Sequence, residues 1–289
     1  MPDLWSLFGE MWTYPFMVRG IAVTLVAGIA CAIVSCWLVL IGWSLMGDAL
    51  SHAILPGVVI AYLLGLPFSI GAMAAALLVV GMIFAVRGTS RVKSDASMGI
   101  VFTTMFATGL VIVSKNPTNI DMQHVLFGDL LGITQADMWQ VLVLAPLAAA
   151  VLLFKRRDVT AYAFDPGHLR AIGLSPRRIS GILVVCLALT VVSAMQAVGA
   201  ILIVTLLVTP GATAYLLTSR FSRMLVVAPA LSAATTITGI YVSYWFDTAS
   251  GATVVAVGGI VFLAVWALSP HGLRGYLSRW HQDGAEDAG

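Results

Sequence analysis

The sequence predicts an all-α, polytopic membrane protein, and its composition is the first reason. Of the 289 residues, 60% are hydrophobic and only 10% are charged, with a mean hydropathy of +0.99. Soluble domains usually carry about 25% charged residues. Uncharged apolar stretches recur along the chain, and a span of the bilayer core needs only about 20 residues. No polar stretch between them is long enough for a soluble domain, so we predict one transmembrane domain over residues 1–289.

The distribution of basic residues supports nine spans and predicts their orientation. The predicted spans are 19–41, 46–64, 69–86, 97–114, 138–154, 179–195, 199–218, 224–246 and 251–269. Alternating them places 13 of the 15 Lys and Arg residues on one side, with only Arg19 and Lys115 opposite. By the positive-inside rule that side is cytoplasmic, so the N-terminus is outside and the C-terminus inside. Eight spans remain the alternative, because the apolar run 179–219 must be divided at residues 196–199.

The second span contains the chemistry of the chain. Asp48 is the only charged residue between Arg19 and Arg87, and His52 is the only histidine there. A carboxylate at the bilayer centre costs roughly 2.5–3.5 kcal/mol on insertion scales, so it rarely lies there without a task. Residues four apart on a helix share a face. One carboxylate and one imidazole on that face make half of a divalent-metal site. A helix-end Asp beside a buried, satisfied His is the alternative interpretation.

We expect the helix to be interrupted near this pair. Gly47 precedes Asp48, and Pro56-Gly57 follows His52 by one turn. Proline removes a backbone donor and kinks a helix, and broken helices beside polar side chains are typical of transport sites.

Other acidic residues lie in segments between spans. Asp121, His124, Asp129 and Asp137 fall in the outer segment 115–137, and Asp247 falls in the outer turn 247–251. A solvated loop explains them better than a second metal site, although their participation stays open.

The longest cytoplasmic segment, 155–178, predicts a short helix. Asp165 is a suitable N-cap, Pro166 a first helical residue and Gly173 a left-handed stop. Leu169 and Ile172 then form an apolar ridge that we expect to dock on a partner. A helix that lies on the membrane face of the protein itself is the alternative.

Nucleotide and nucleic-acid motifs are not found. The sequence contains no G-x-x-x-x-G-K-[ST] phosphate loop. The chain is therefore not expected to be an enzyme or to bind nucleic acid.

Five stretches resemble the metal-uptake ABC permeases of the manganese/zinc/iron (ABC-3) family. They are Leu45–Gly57, Leu126–Leu131, Phe164–Leu174, Leu206–Ala212 and Asp247–Ala252. The resemblance implies a homodimer with two cytosolic ATPase subunits and an external metal-binding protein. It also implies that Asp48 and His52 match positions of metal passage. Residues 158–176, with Asp165–Gly173, would be the coupling segment that meets the ATPase.

The expected function is the permease subunit of a binding-protein-dependent ABC importer in a prokaryotic cell membrane. The cargo would be Mn²⁺ or Zn²⁺, or else Fe²⁺, with no permanently bound cofactor. A gradient-driven metal carrier or channel and a permease for a metal chelate are the alternatives.

Overall fold

The structure, a computed structural model, describes residues 10–115, 133–270 and 273. Within these residues it is all-α, as predicted, and a short 3₁₀ helix at Glu10–Thr13 precedes twelve α-helices. They are α1 Pro15–Ile41, α2 Ser44–Ala53, α3 Leu55–Leu63, α4 Phe68–Thr89, α5 Ser94–Lys115, α6 Gln135–Phe154, α7 Arg156–Phe164, α8 Pro166–Ala171, α9 Pro176–Val198, α10 Ala200–Leu217, α11 Phe221–Phe246 and α12 Ser250–Leu268.

The nine predicted spans are confirmed. Within the described residues, nine helical segments are long and apolar enough to cross a membrane. Several helices extend about a turn beyond the predicted limits, because helix ends include polar capping residues outside the apolar run. The division of residues 179–219 is also confirmed, since Gly199 (φ 80°, ψ 161°) separates α9 from α10.

The second span is interrupted, as predicted. Helix α2 ends at Ala53 and α3 begins at Leu55, so the break falls on Ile54. Pro56 lies in the first turn of α3, where its missing N–H would otherwise have no intrahelical acceptor. The break therefore comes two residues after His52 and ends the helix that carries the polar pair.

Glycines allow the closest helix crossings. A Cβ on Gly57 would collide with the carbonyl oxygen of Gly71 and lie 2.6 Å from the Cβ of Ala75; a Cβ on Gly71 would collide with the carbonyl oxygen of Gly57 in the same way. Helices α3 and α4 thus pack backbone to backbone, the arrangement that small residues permit in membranes. At the crossing of α1 and α10, the Gly211 N–H donates to Ser35 Oγ at 3.1 Å, immediately after Pro210, which lies inside α10.

The helix α1 forms the centre of the bundle and connects it to the segment outside the spans. It packs against α9, α10 and α11, and the side chain of Trp37 is fully buried. The indole Nε1 of Trp37 donates to Thr160 Oγ1 of α7 at 3.1 Å. This contact fixes α7, and with it the beginning of the segment that carries α8, against the end of α1.

Candidate functional site

Asp48 and His52 form one contact pair on α2. His52 Nδ1 lies 3.2 Å from Asp48 Oδ1 and 3.2 Å from the Asp48 main-chain oxygen. Both neighbours are acceptors, so Nδ1 carries the hydrogen and Nε2 is the nitrogen with the free lone pair. A carboxylate that holds one imidazole nitrogen while the other is free to bind metal is a common arrangement at metal sites. The predicted stacking of the two residues is confirmed.

The pair lies on the exposed side of α2. Side-chain exposure is 39% for Asp48 and 23% for His52, and Leu45, one turn earlier, is 56% exposed. Every residue on the other faces between Met46 and Ala53 is buried. Gly47 allows this packing, because a Cβ there would lie 2.8 Å from Leu207 of α10. The bundle therefore packs against the other faces of α2 and leaves the face that carries Asp48 and His52 accessible.

Aromatic rings from α5 hold the imidazole. The ring centroid of His52 is 5.6 Å from that of Phe102 and 5.9 Å from that of Phe106, both in edge-on geometry. A different face of α5 carries a shallow groove of about 540 Å³ with threonines at positions 103, 104 and 108. The hydroxyls of Thr103 and Thr108 donate to carbonyls of their own helix. The side of α5 that faces the pair is therefore the aromatic one.

The pair lies nearer to one end of the span than to its middle. Trp43, just before α2, packs against Tyr162 of α7 and against the guanidinium of Arg87. Both partners belong to the side where the basic residues collect, which we call the basic side. At 1.5 Å per residue, Asp48 is roughly 7 Å and His52 roughly 13 Å along the helix from Trp43. The site therefore belongs to the basic-side half of a core about 30 Å thick.

The other acidic candidates have structural roles or lie outside the described residues. Asp137 pairs with Thr134, whose Oγ1 accepts the Asp137 N–H at 3.2 Å and caps α6. Asp247 (φ 49°) ends α11 in the left-handed conformation. Asp121, His124 and Asp129 lie outside the described residues. Within the described part of the chain, no three His, Cys, Asp or Glu side chains form a metal-binding group.

The short helix in the segment 158–176 forms as predicted. Asp165 Oδ1 accepts the N–H groups of Gly167 at 2.7 Å and His168 at 3.1 Å. These bonds favour the ionised carboxylate and lower the pKa of Asp165 from its ordinary value. Pro166 is the first residue of α8. Gly173 (φ 80°) closes the helix, with the Leu174 N–H donating to the Leu169 carbonyl at 2.9 Å.

The predicted apolar ridge on α8 is corrected by the structure. Leu169 is fully buried and belongs to the same hydrophobic core as Val159 of α7. Ile172 is 55% exposed, and Phe164, just before Asp165, is 70% exposed. The expectation that Leu169 is available to a partner is wrong, because α8 is too short to stand alone and uses Leu169 to attach itself to the bundle. The apolar surface left open consists of Phe164, Ile172 and Leu174.

Sequence reasoning did not find the residues around the pair. Phe102 and Phe106 are two aromatic residues in an apolar span, and only the packing of α5 on α2 gives them a role. The one signal in the sequence is that the two phenylalanines are four residues apart and therefore share a helix face. The Arg87–Trp43 contact, with 5.3 Å from Cζ to the ring centroid, was likewise not predicted.

The described residues form a bundle of nine candidate spans, and an interrupted span among them carries an outward-facing carboxylate–imidazole pair. This is the architecture of a polytopic membrane transport protein. The chain belongs to the ABC 3 transport family, whose sequence pattern matches residues 13–269. This confirms the resemblance described above over most of the chain.

Named relatives cover nearly the whole sequence. The manganese transport system membrane protein MntB of Synechocystis sp. is 43% identical over 266 residues, which span 92% of this chain and 87% of that protein. The chelated iron transport system membrane protein YfeC of Yersinia pestis is 43% identical over 269 residues, 93% of this chain and 92% of that protein. A chain of PsaBC from Streptococcus pneumoniae, solved in complex with a Fab, superposes with a TM-score of 0.83 at 32% identity, covering 93% of this chain and 97% of that one.

Proposed function

We propose that this chain is the permease subunit of a binding-protein-dependent ABC importer for a divalent transition metal, with Mn²⁺ as the first candidate. The exposed Asp48–His52 pair on a membrane span carries the proposal. Relatives named for manganese transport and for chelated iron transport support the class of cargo. Zn²⁺ and Fe²⁺ remain candidates, because carboxylate and imidazole ligands suit all three ions.

The exposure of Asp48 and His52 supports a homodimer. A carboxylate–imidazole pair that opens sideways from a span would face hydrocarbon in a single chain, and charged side chains in spans face a bundle interior or a water-filled cavity instead. A second copy packed over this face of α2 and α5 would enclose Asp48 and His52, which would then line a passage between the two chains. The homodimer is therefore part of the proposal.

The ligand set suits transient binding. Asp48 supplies negative charge that attracts a divalent cation, and His52 supplies a nitrogen ligand that disfavours Mg²⁺ and Ca²⁺, which prefer oxygen shells. One chain offers the free Nε2 of His52, with the Asp48 carboxylate on the Nδ1 side of the same ring, and water, backbone oxygens or the second copy complete the shell. A passage needs such weak binding, because an ion held in a closed four-ligand cage leaves slowly.

The driving force would come from separate subunits. The sequence has no Walker-type phosphate loop, so ATP hydrolysis belongs to two cytosolic ATPases that dock on the segment 158–176. An external metal-binding protein would deliver the ion on the opposite side. ATPase closure would then switch the passage between outward and inward access.

The test is metal uptake by variants of the pair. Asp48→Asn keeps the shape and removes the charge, while His52→Ala removes the nitrogen ligand. In cells that lack the native transporter and express this chain with its ATPase and binding protein, both variants should lower ⁵⁴Mn²⁺ uptake at least tenfold. Protein level, ATPase co-purification and basal ATP hydrolysis should persist. Asp137→Asn is the matched control, because that carboxylate pairs with Thr134 in the first turn of α6, outside the proposed docking segment.

Three outcomes contradict parts of the proposal. Parental uptake by Asp48→Asn and His52→Ala, present at normal levels, removes the pair from the metal path. Uptake that continues without the ATPase identifies a gradient-driven carrier. Uptake of iron only as a chelate, with no response to free Mn²⁺ or Zn²⁺, identifies a chelate permease.

A further inference from the structure

A groove between α4 and α9 is not used by the proposed transport path. It encloses about 650 Å³ and opens on the outer surface of the bundle. Its wall is apolar along most of its length, and its charged lining residues within the described part of the chain are two arginines, Arg87 and Arg177. The remaining lining residues are Leu77, Val80, Phe84, Ala85 and Gly88 of α4 and Ser180, Gly181, Val184 and Val185 of α9.

The two arginines lie at the same end of the groove. Arg87 is two residues from the end of α4, and Arg177 is the second residue of α9. Both helix ends belong to the basic side. From Arg87 to Leu77, and from Arg177 to Val185, the helices extend roughly 12–15 Å into the membrane. That length is about half of the ~30 Å hydrocarbon core, which is the depth of one leaflet.

Two aromatic rings hold the guanidinium of Arg87 in place. Its Cζ lies 5.3 Å from the ring centroid of Trp43 and 5.9 Å from that of Phe84. Its Nη1 is buried and has no hydrogen-bond partner within the described residues. The side chain of Arg87 also lines the groove, so its positive charge favours an anion at this end. Arg177 is exposed beside it and adds a second positive charge.

We propose that the groove binds one anionic phospholipid, with the phosphate between Arg87 and Arg177 and an acyl chain along α4 and α9. Basic pockets between transmembrane helices on the cytoplasmic side are a known mode of anionic lipid recognition. The leaflet-deep apolar wall is the reason to choose a lipid over a free phosphate ion. Gly181 and Gly88 leave space in the wall, since a Cβ at either would meet no atom within 4 Å.

The test is lipid binding to the purified full transporter, measured by native mass spectrometry in detergent with added phosphatidylglycerol or phosphatidylcholine. The wild type should retain phosphatidylglycerol in preference to phosphatidylcholine. Arg87→Gln and Arg177→Gln should each weaken phosphatidylglycerol binding about fivefold, the effect expected of one basic residue near an anionic headgroup. Arg156→Gln, an exposed basic residue of α7, is the charge control and should have no effect.

A second variant tests the contribution of the apolar wall independently of the two arginines. Gly181→Leu fills the apolar wall without changing any arginine, and it should remove the lipid while uptake-competent protein persists. Gly259→Leu on α12, also with no atom within 4 Å of the added Cβ, is its matched control and should bind lipid normally.

The results that overturn the proposal are distinct. Equal retention of both lipids, or normal phosphatidylglycerol binding by Gly181→Leu, excludes the groove as a lipid site. Arginine-dependent binding of inorganic phosphate alone, as tight as that of phosphatidylglycerol, identifies a free-anion site. A disulfide between two copies carrying Gly181→Cys, or cross-linking of that cysteine to an ATPase, identifies a protein interface instead.

Discussion

Leu169 and Ile172 lie three residues apart on the segment between the fifth and sixth spans, but the structure predicts opposite effects for their substitution. Leu169 is fully buried, whereas Ile172 is 55% exposed. Truncating a buried Leu to Ala costs about 2–5 kcal/mol, because apolar contacts are lost and a cavity remains. Exposed substitutions usually stay within about 0.5 kcal/mol. Even the lower figure for Leu169 corresponds to a roughly 30-fold change in the folding equilibrium.

The assay measures stability and partner binding on the same preparations. Leu169→Ala should lower the thermal unfolding midpoint of the purified permease, measured from the loss of the monodisperse chromatographic peak on heating. Any folded fraction should still bind the ATPase. Ile172→Asp should leave the midpoint unchanged and abolish ATPase co-purification and metal uptake. Val92→Asp is the matched control, since Val92 is an exposed apolar residue on the same side, outside the helices.

Two results would refute this reasoning. An unchanged midpoint for Leu169→Ala would mean that α8 does not rest on the bundle through this side chain. Normal ATPase binding and uptake by Ile172→Asp would mean that the exposed edge of α8 is not the docking surface.

The remaining predictions concern a helix crossing, a cap and the topology. Gly57→Ala should force α3 and α4 apart, at a cost of about 1–3 kcal/mol from overpacking, and should lower both the thermal midpoint and metal uptake. Gly81→Ala is the control: its added Cβ meets no atom within 4 Å, so the midpoint and uptake should stay unchanged. Asp165→Asn should preserve ATPase co-purification by keeping a capping oxygen, and Asp165→Ala should reduce it. The pKa of Asp165 is lowered in the folded protein, so the stability that its capping bonds contribute should be complete above the ordinary aspartate pKa. That stability should be lost only as the pH falls through the lowered pKa. A loss of ATPase binding between pH 8 and 6 would therefore need another cause. Reporter fusions at Asp158 should read cytoplasmic and those at Thr248 external, and the reverse result would invert the proposed orientation.

The spans and the polar pair could be predicted because each depends on local composition. A run without charges identifies its own helix, and a lone Asp48 among apolar residues stands out whatever surrounds it. The spacing of four residues was enough to predict contact with His52, since both lie on one helix. The cap at Asp165 and the stop at Gly173 are local for the same reason.

The features that were missed or misjudged depend on packing between distant segments. Nothing in the α8 sequence distinguishes a Leu that docks on a partner from one that docks on its own bundle, so Leu169 was assigned to the wrong surface. The collision of Gly57 with Gly71 depends on the crossing of α3 and α4, which periodicity does not contain. Phe102 acquires a role only when α5 packs on α2.

A continuous series of contacts connects the proposed coupling segment to the proposed metal pair. Thr160 on α7 accepts the indole hydrogen of Trp37, and Tyr162 on the same helix packs against Trp43 at 6.2 Å between ring centroids. Trp43 is the residue from which α2 begins, only five residues before Asp48. A displacement of α7 cannot leave Trp43 in place without opening a gap in a close-packed interior. The backbone bonds from the Ile54 N–H to the Leu50 carbonyl and from the Val58 N–H to the Ile54 carbonyl continue across the break, so α2 and α3 are two parts of one span. The packed series of side chains therefore extends from α7 through Trp43 to the span that carries Asp48 and His52.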